Sequence, residues 1–561
     1  MEKSLPFDPI LYNMEQYYND NLDVFNKISQ DLYNEIYSPL IFEKSNTISK
    51  KTISKLIVER IEYSENKLND ICQKHDMDFW MSFIRRYPNI LFLENSKNWK
   101  AIVQLAILKY SSLTNTNVLG RTKGDNVYNL VLTALEDDYI EIYKIGLISS
   151  FIGNLYTINR GITKGGSLCY IGNNVNVFSD DQLSEAFKSY DERIPVSFIL
   201  SYTGVPVSQN DNNKFQYYML YSFVNPIPLQ CTQLNYTLKL MNHDLKVMDI
   251  TPLKRMLQTY DDAIYDIYGI SHESIIQFLY GLSQNVNNTL PRLSNNGNNL
   301  VYPYSIDDKE NFHKLTFYFS LCLKGYLRFP TQTLIESISN YPYPGISIDN
   351  AKQLTQDFIN TFSKPFKERE QIDIGNLTDY PFIYTTEETC YVDFVFLENF
   401  IGGVVQKCKN WFTSQHGDRF TLLVKKYIEL NVPNINVIFN NSSIIEQSFV
   451  DIIIIQNDTV FCIECKAYAK SVEYLKGNID SFNSRNQRIK KAVEQAITNL
   501  DKVKKNKEFA MYTKFEWIVC TSSQEFLNPV NKYGMLTKSI PKVCTVEELI
   551  VFFNSTNSLL L

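Results

Sequence analysis

Phe449-Val450-Asp451-Ile452-Ile453-Ile454-Ile455-Gln456-Asn457-Asp458-Thr459-Val460-Phe461-Cys462-Ile463-Glu464-Cys465-Lys466 is the stretch on which the reading of this chain turns. Two apolar, β-branched runs flank the polar break Gln456 to Thr459, the pattern of a β-hairpin. A turn centred on Asn457-Asp458, two residues that tolerate positive φ, sets residue 456 opposite 459. Asp451 then faces Glu464, with Cβ atoms about 5 Å apart. Because side chains alternate along a strand, Glu464 and Lys466 share a face and Cys465 points away. Two carboxylates and a lysine thus converge on one patch of a greasy hairpin. Burying that trio without a partner would be costly. A hard divalent cation between the carboxylates accounts for the arrangement.

At 561 residues the chain exceeds what one core usually supports, so several domains are expected. With 44% hydrophobic and 14% aromatic residues it has a globular composition, which excludes a disordered chain. No run of eighteen uncharged apolar residues occurs. Ile145 to Ile158, the nearest, is interrupted by Ser149, Ser150 and Asn154 and reads as a buried helix, so no membrane partner is expected. The opening Met1-Glu2-Lys3-Ser4-Leu5-Pro6 has no signal-peptide pattern, and the ten scattered cysteines suit reduced thiols, so a cytoplasmic location is expected. Charge divides unevenly. Residues 401–561 carry 20 Lys+Arg against 15 Asp+Glu, a net of +5, leaving 35 and 46, a net of −11, for the first 400 residues. A basic end on an acidic body fits a nucleic-acid site confined to that end.

The expected fold class is α+β multidomain. Residues 1–284 read as a mainly helical region with a β-rich insertion near 195–241, and residues 300–400 as a helical connector. Helical spacing runs through Asp70 to Ile84 and Tyr128 to Leu135. Ser197 to Tyr202 and Tyr217 to Val224 are strand-like, with the polar loop Gln209 to Lys214 between them. Thr251-Pro252 and Ser271 open helices. Asn285 to Asn299 reads as a flexible loop, Phe312 to Leu327 and Ile348 to Phe366 as helices. Gly161-Ile162-Thr163-Lys164-Gly165-Gly166-Ser167 lacks the order of a phosphate-binding loop and reads as a turn. Five separated histidines exclude a zinc cluster or a histidine-based triad as the leading idea. Cys462 and Cys465 lie three apart on one strand, facing opposite sides, which argues packing rather than a redox pair.

Within residues 401–561, Gln415 to Leu430 has helical periodicity and Asn436 to Phe439 is a short strand before the hairpin. A long amphipathic helix follows, roughly Ser484 to Lys505, with Ile489, Ala492, Val493, Ala496, Ile497, Leu500 and Val503 as its apolar stripe. Phe515 to Thr521 and Lys542 to Cys544 are strands, and Thr545 opens the last helix in a capping box with Glu548. The basic face of the long helix suits a phosphate backbone, with Arg485, Arg488 and Lys491 as the nucleic-acid-binding candidates.

Asp451, a twelve-residue gap and Glu464-Cys465-Lys466 resemble the PD-(D/E)XK core of restriction-endonuclease-like nucleases. The resemblance covers about the last 160 residues, and the order helix, strand, hairpin, helix, strand, strand, helix is the one that family implies. It implies a C-terminal α/β core, a central mixed sheet flanked by helices, over residues 401–561. It also implies a Mg²⁺ cofactor, for which Mn²⁺ can substitute. Asp451, Glu464 and the Cys465 carbonyl would hold the metal, and Lys466 would orient water or stabilise charge. A glutamine on the long helix, here Gln495, contributes to the active site of related nucleases. Two positions depart from the family. Val450 stands where proline is common. Gly417-Asp418-Arg419-Phe420-Thr421 has threonine where relatives often carry a metal-site glutamate, which points to one metal ion rather than two, or to a weakened site. Neither Glu429, about 12 Å along the helix, nor Glu446, on the other strand face, substitutes directly.

The expected function is metal-dependent hydrolysis of phosphodiester bonds, with DNA the expected substrate and RNA open. The first 400 residues would serve as sensor, regulator or assembly module, answering a protein or ligand trigger and forming a homodimer or larger assembly. That division of labour resembles restriction-modification and antiviral defence effectors. The alternative is a catalytically inactive nuclease-fold module that binds nucleic acid.

Overall fold

A computed structural model describes residues 16–41, 48–86, 99–112, 136–171, 174–202, 216–223, 227–231, 236–240, 243–289, 294–296, 299–302, 314, 321, 325–374, 382–386, 389–415, 417–432, 435–439, 450–468, 470–475 and 477–558. The chain is α+β and divides into two compact units. One comprises Met1–Ile158, Pro206–Met248 and Glu273–Ile401. The other comprises Asn159–Val205, Asp249–His272 and Gly402–Leu561.

In the first unit, the helices Leu22–Tyr37, Lys50–Cys72, Met77–Arg86 and Trp99–Tyr110 bury apolar stripes. The Asp70-to-Ile84 periodicity spans two helices rather than one. The first ends at Cys72, and Asp76 restarts the second by accepting from the Phe79 N–H at 2.7 Å. A four-stranded sheet of Tyr326–Pro330, Thr389–Asp393, Ile383–Thr385 and Ser363–Pro365 carries a buried ion pair, Arg85 Nη2 to Asp393 Oδ2 at 2.9 Å. Gln104 Oε1 accepts from Arg85 Nε at 2.8 Å, so the guanidinium is not left bare. Three sequence expectations fail here. The helix expected to reach Phe366 ends at Phe362, where Ser363–Pro365 turns into a sheet strand. Asn285 to Asn299 is no plain loop: helix His272–Thr289 runs into it, and Ser294–Asn296 pairs antiparallel with Asn299–Tyr302. Tyr326 and Leu327 begin a strand instead of ending a helix. Tyr128 to Leu135, Gln209 to Lys214 and most of residues 312–324 lie outside the described residues, as does Glu446.

The second unit is built on a five-stranded mixed sheet. Its strands are β1 (Asn436–Phe439), β2 (Ile452–Gln456), β3 (Thr459–Lys466), β4 (Lys514–Thr521) and β5 (Val543–Thr545), in that spatial order. β1 pairs antiparallel with β2 and β2 with β3, whereas β3, β4 and β5 are parallel to one another. Three helices accompany them: α1 (Gly417–Asn431), α2 (Ile479–Lys504) and α3 (Val546–Ser558). Even-numbered residues of β3 face α2, where Val460 and Cys462 pack with Leu500 and Val503. Odd-numbered residues face the other way, Phe461 meeting Phe552 and Phe553 of α3 edge to face. Cys462 and Cys465 thus lie on opposite faces as thiols in the core.

The β2–β3 turn has φ of +49° at Asn457 and +60° at Asp458, the double positive-φ conformation that matches hairpin twist. Gln456 pairs with Thr459 and Ile452 with Ile463, the register read from the sequence. α2 begins at Ile479, five residues before the expected Ser484, because Asn478 caps it by accepting from the Ser481 N–H at 3.0 Å. At α3 the Thr545 N–H donates to Glu548 Oε2 at 2.8 Å and the Glu548 N–H to Thr545 Oγ1 at 3.4 Å, a reciprocal capping box.

Ser197 to Tyr202, read as a strand, is the end of helix Asp181–Tyr202. Helix Ile250–Thr259 is capped by Asp249, whose Oδ1 accepts from the Thr251 N–H at 2.9 Å, so Thr251 lies inside it. Arg193 fastens the first of these helices within the unit: its Nε and Nη2 donate to the two oxygens of Glu548, at 2.6 and 3.0 Å.

Candidate active site

Asp451 immediately precedes β2, and Glu464 and Lys466 end β3 on the α2 face. Since Ile452 pairs with Ile463, Asp451 continues the register opposite Glu464. Asp451 Oδ2 accepts from the Cys465 N–H at 2.7 Å. N–H and C=O of one strand residue point to the same side, so the Cys465 carbonyl also looks towards Asp451. Glu464 is only 2% exposed, yet its carboxylate has two donors: Lys466 Nζ at 2.6 Å on Oε1 and Asn499 Nδ2 at 3.0 Å on Oε2.

The electrostatics follow from this geometry. Burial, and then the neighbouring Asp451 charge, raise the Glu464 carboxyl above the ordinary glutamate value, against the lowering pull of Lys466 and Asn499. Burial works to lower the Lys466 ammonium, but its hydrogen bond to Glu464 and the charges of Glu464 and Asp451 outweigh it and leave the ammonium raised. Lys466 is therefore firmly protonated at neutral pH. Two facing carboxylates, one of them desolvated, form a site whose repulsion a cation would relieve. The donors are hard oxygens, two carboxylates and a carbonyl, which suit Mg²⁺, an ion that takes one or two carboxylates and keeps several waters. Among the described residues no group of three or more His, Cys, Asp or Glu side chains could hold a metal, so protein oxygens alone would not complete a coordination shell.

The Cys465 thiol points to the opposite face, hydrogen-bonded by Cys520 and Thr421. Thr421 is buried and hydrogen-bonds that thiol. Glu429 is exposed and paired with Lys425 at 3.4 Å.

Gln495 is not in the site. It is exposed, and the amide that reaches Glu464 belongs to Asn499, one helical turn further on. The buried stripe of α2 comprises Phe482, Arg485, Ile489, Ala492, Val493, Ala496, Asn499, Leu500 and Val503. Asn499 and Arg485 occupy that stripe although both are polar, whereas Gln495 falls outside it. Polar residues at apolar spacing were the available signal. Ile497, placed in the stripe from sequence, is 42% exposed for the same reason.

Arg485 is likewise not a phosphate contact. It is 5% exposed, and its Nε lies 3.1 Å from both oxygens of Glu525, while Nη2 donates to Ser523 Oγ at 2.9 Å. A guanidinium so enclosed holds the fold together. Arg488 and Lys491 are exposed on α2 and remain available to a polyanion. No helix among the described residues is long and apolar enough to cross a membrane.

Comparison of the chain with known protein families, with characterised proteins and with solved structures gave no match.

Proposed function

We propose that the chain is a Mg²⁺-dependent nuclease of PD-(D/E)XK type, hydrolysing phosphodiester bonds of nucleic acid, with DNA as substrate. The observation that carries the reading is the convergence of Asp451, Glu464 and Lys466 at one end of a mixed-sheet hairpin, with a buried carboxylate in repulsion with its neighbour. Asp451, Glu464 and the Cys465 carbonyl would hold the ion. Bound there, Mg²⁺ would supply Lewis-acid polarisation of a phosphoryl oxygen and lower the pKa of a bound water.

The protein groups have separable tasks. Lys466, held protonated by two carboxylates, is suited to neutralise charge that develops on the phosphate rather than to abstract a proton. Asn499 positions Glu464 by fixing Oε2. Asp451 is tied to the Cys465 N–H, which sets one of its oxygens and directs the carboxylate across the end of β2. Arg488 and Lys491 offer a track for the phosphate backbone along α2. The remainder of the chain would supply sensing, restraint or assembly, in the manner of a restriction or antiviral defence effector.

Thr421 favours a second reading, a catalytically inactive nucleic-acid-binding module, since it brings no third carboxylate. Cleavage of supercoiled plasmid separates the two. Wild-type protein should cut in Mg²⁺ or Mn²⁺ and not in EDTA, and Asp451→Ala and Lys466→Ala should each abolish cutting while binding persists. Binding by the wild type with no cutting in either metal would favour the inactive module.

A further inference from the structure

The glycine-flanked Lys164 is spent on no part of the carboxylate site. It follows the end of helix Glu136–Thr163, in a tight turn closed by the Gly166 N–H on Gly161 O at 2.9 Å and by φ of +121° at Gly165. That turn drives the lysine side chain inward: Lys164 is 7% exposed. Its Nζ lies 4.0 Å from the Tyr190 ring centre, 4.3 Å from Phe526 and 5.3 Å from Phe187. No carboxylate or hydroxyl among the described residues accepts a hydrogen bond from it. The charges around it are mostly of its own sign. Arg160 lies one turn earlier on the same helix, and Lys470 donates to Tyr190 Oη at 3.1 Å from the segment after β3. Asp191, an acid in the group, is paired with Arg160 at 3.5 Å.

Lys164 also opens onto a cavity of about 190 Å³ lined in addition by Asn486, Phe526, Asn528, Lys532 and Tyr533. This is below the roughly 300–1,000 Å³ of pockets for drug-sized ligands, so it admits a small molecule only. Among the described residues no acidic side chain lines it. Asn528, one of the lining residues, has its Oδ1 buried without a hydrogen-bond partner.

We propose that Lys164 is a carbamylation site, its buried amine taking up carbon dioxide from this cavity. The nitrogen lone pair attacks the carbon, an N–C bond forms, one C=O electron pair moves onto oxygen, and the nitrogen releases one proton to solvent. The product is a carbamate, and no oxidant or reductant takes part. The new anion stands among Arg160, Lys470 and Lys532, converting a cluster of like charges into an opposed one. Burial, followed by Arg160 and Lys470, pushes the amine down to about 6, so it is unprotonated and nucleophilic at neutral pH. An ordinary lysine near 10.4 has roughly a thousandth of its amine free at pH 7.5.

The test uses the full chain with ¹³C-bicarbonate at pH 7.5. Carbamate is read by ¹³C NMR and located by trialkyloxonium trapping followed by peptide mass mapping. One carbamate is expected on the Lys164 peptide, absent from exposed lysines and lost in Lys164→Met. At constant CO₂ pressure its occupancy should already be climbing near neutral pH and keep rising as pH rises, because carbamate formation releases a proton. Trapping on the wild type decides the matter even where Lys164→Met fails to fold. A bare Lys164 peptide at saturating CO₂, a signal surviving in Lys164→Met, or a rise only above pH 9 would overturn the proposal. Protection of an uncarbamylated Lys164 by inorganic phosphate would overturn it too, in favour of simple anion binding.

Discussion

Asn499→Leu removes one donor from the most deeply buried carboxylate of the site at nearly constant shape. Glu464 Oε2 then loses its 3.0 Å bond in surroundings where Glu464 is 2% and Asn499 5% exposed, so water does not readily replace it. Leaving a buried acceptor without its donor costs about 1–3 kcal/mol, towards the upper end when it is ionised. Because the ionised form loses more than the neutral one, the same loss raises the Glu464 carboxyl further. The sign of the pH dependence follows. Glu464 is already raised in the folded protein, so its protonated form contributes stability that is present below the unfolded value and lost as pH rises through the folded one. The variant lifts the folded value again, so the deficit relative to wild type should be larger at pH 8 than at pH 5. Hydrogen exchange of β3 amides reads this locally in a chain of two units. In a Glu464→Gln background the cost should fall to about 0.5–1.5 kcal/mol, that of a neutral bond. An equal cost at both pH values and in both backgrounds would refute the link to the Glu464 charge and leave Asn499 as mere packing.

Arg485→Met should destabilise the second unit by about 3–5 kcal/mol in denaturant unfolding, because it strands Glu525 in the core. Lys491→Ala should change stability by less than about 0.5 kcal/mol while lowering the slope of log affinity for DNA against log salt by about 0.9. Gln495→Ala, at an exposed position, should leave both stability and cleavage near wild type, whereas Asn499→Leu should impair cleavage. Lys164 is depressed in the folded state, so the unfolded chain binds the extra proton above about pH 6 and stability rises with pH there. Lys164→Met should flatten that slope by up to about 1.4 kcal/mol per pH unit, measured as unfolding free energy between pH 6 and 9 without added CO₂.

The hairpin was legible because its turn is written in Asn457 and Asp458, and period-two alternation then fixes every later residue on its face. The capping box at Thr545 was legible for the same kind of reason, a local pattern with a local cause. Errors arose where a local signal met a tertiary one. The apolar run Ser197 to Tyr202 reads as a strand, but the helix begun at Asp181 runs through Pro195 to Tyr202. Asp180 caps its start, accepting from the Leu183 N–H at 2.7 Å. On α2, by residue type, Arg485 reads as part of the basic face and Asn499 carries no signal of its own. The buried stripe has Arg485 and Asn499 inside, each with a carboxylate from a distant strand or loop. Those carboxylates lie 40 and 35 residues away in sequence, and nothing local announces them.

The shared cation at Asp451 and Glu464 is tested most directly by calorimetric titration of Mn²⁺ or Mg²⁺ into the purified full chain, beside Asp451→Ala and Glu464→Gln. A site of two facing carboxylates should bind the metal in the wild type and raise its Tm, by about 2.7 kcal/mol of stabilisation at one hundred times Kd, with both effects lost in either variant. Absence of metal binding in the wild type, or binding undiminished in both variants, would contradict it.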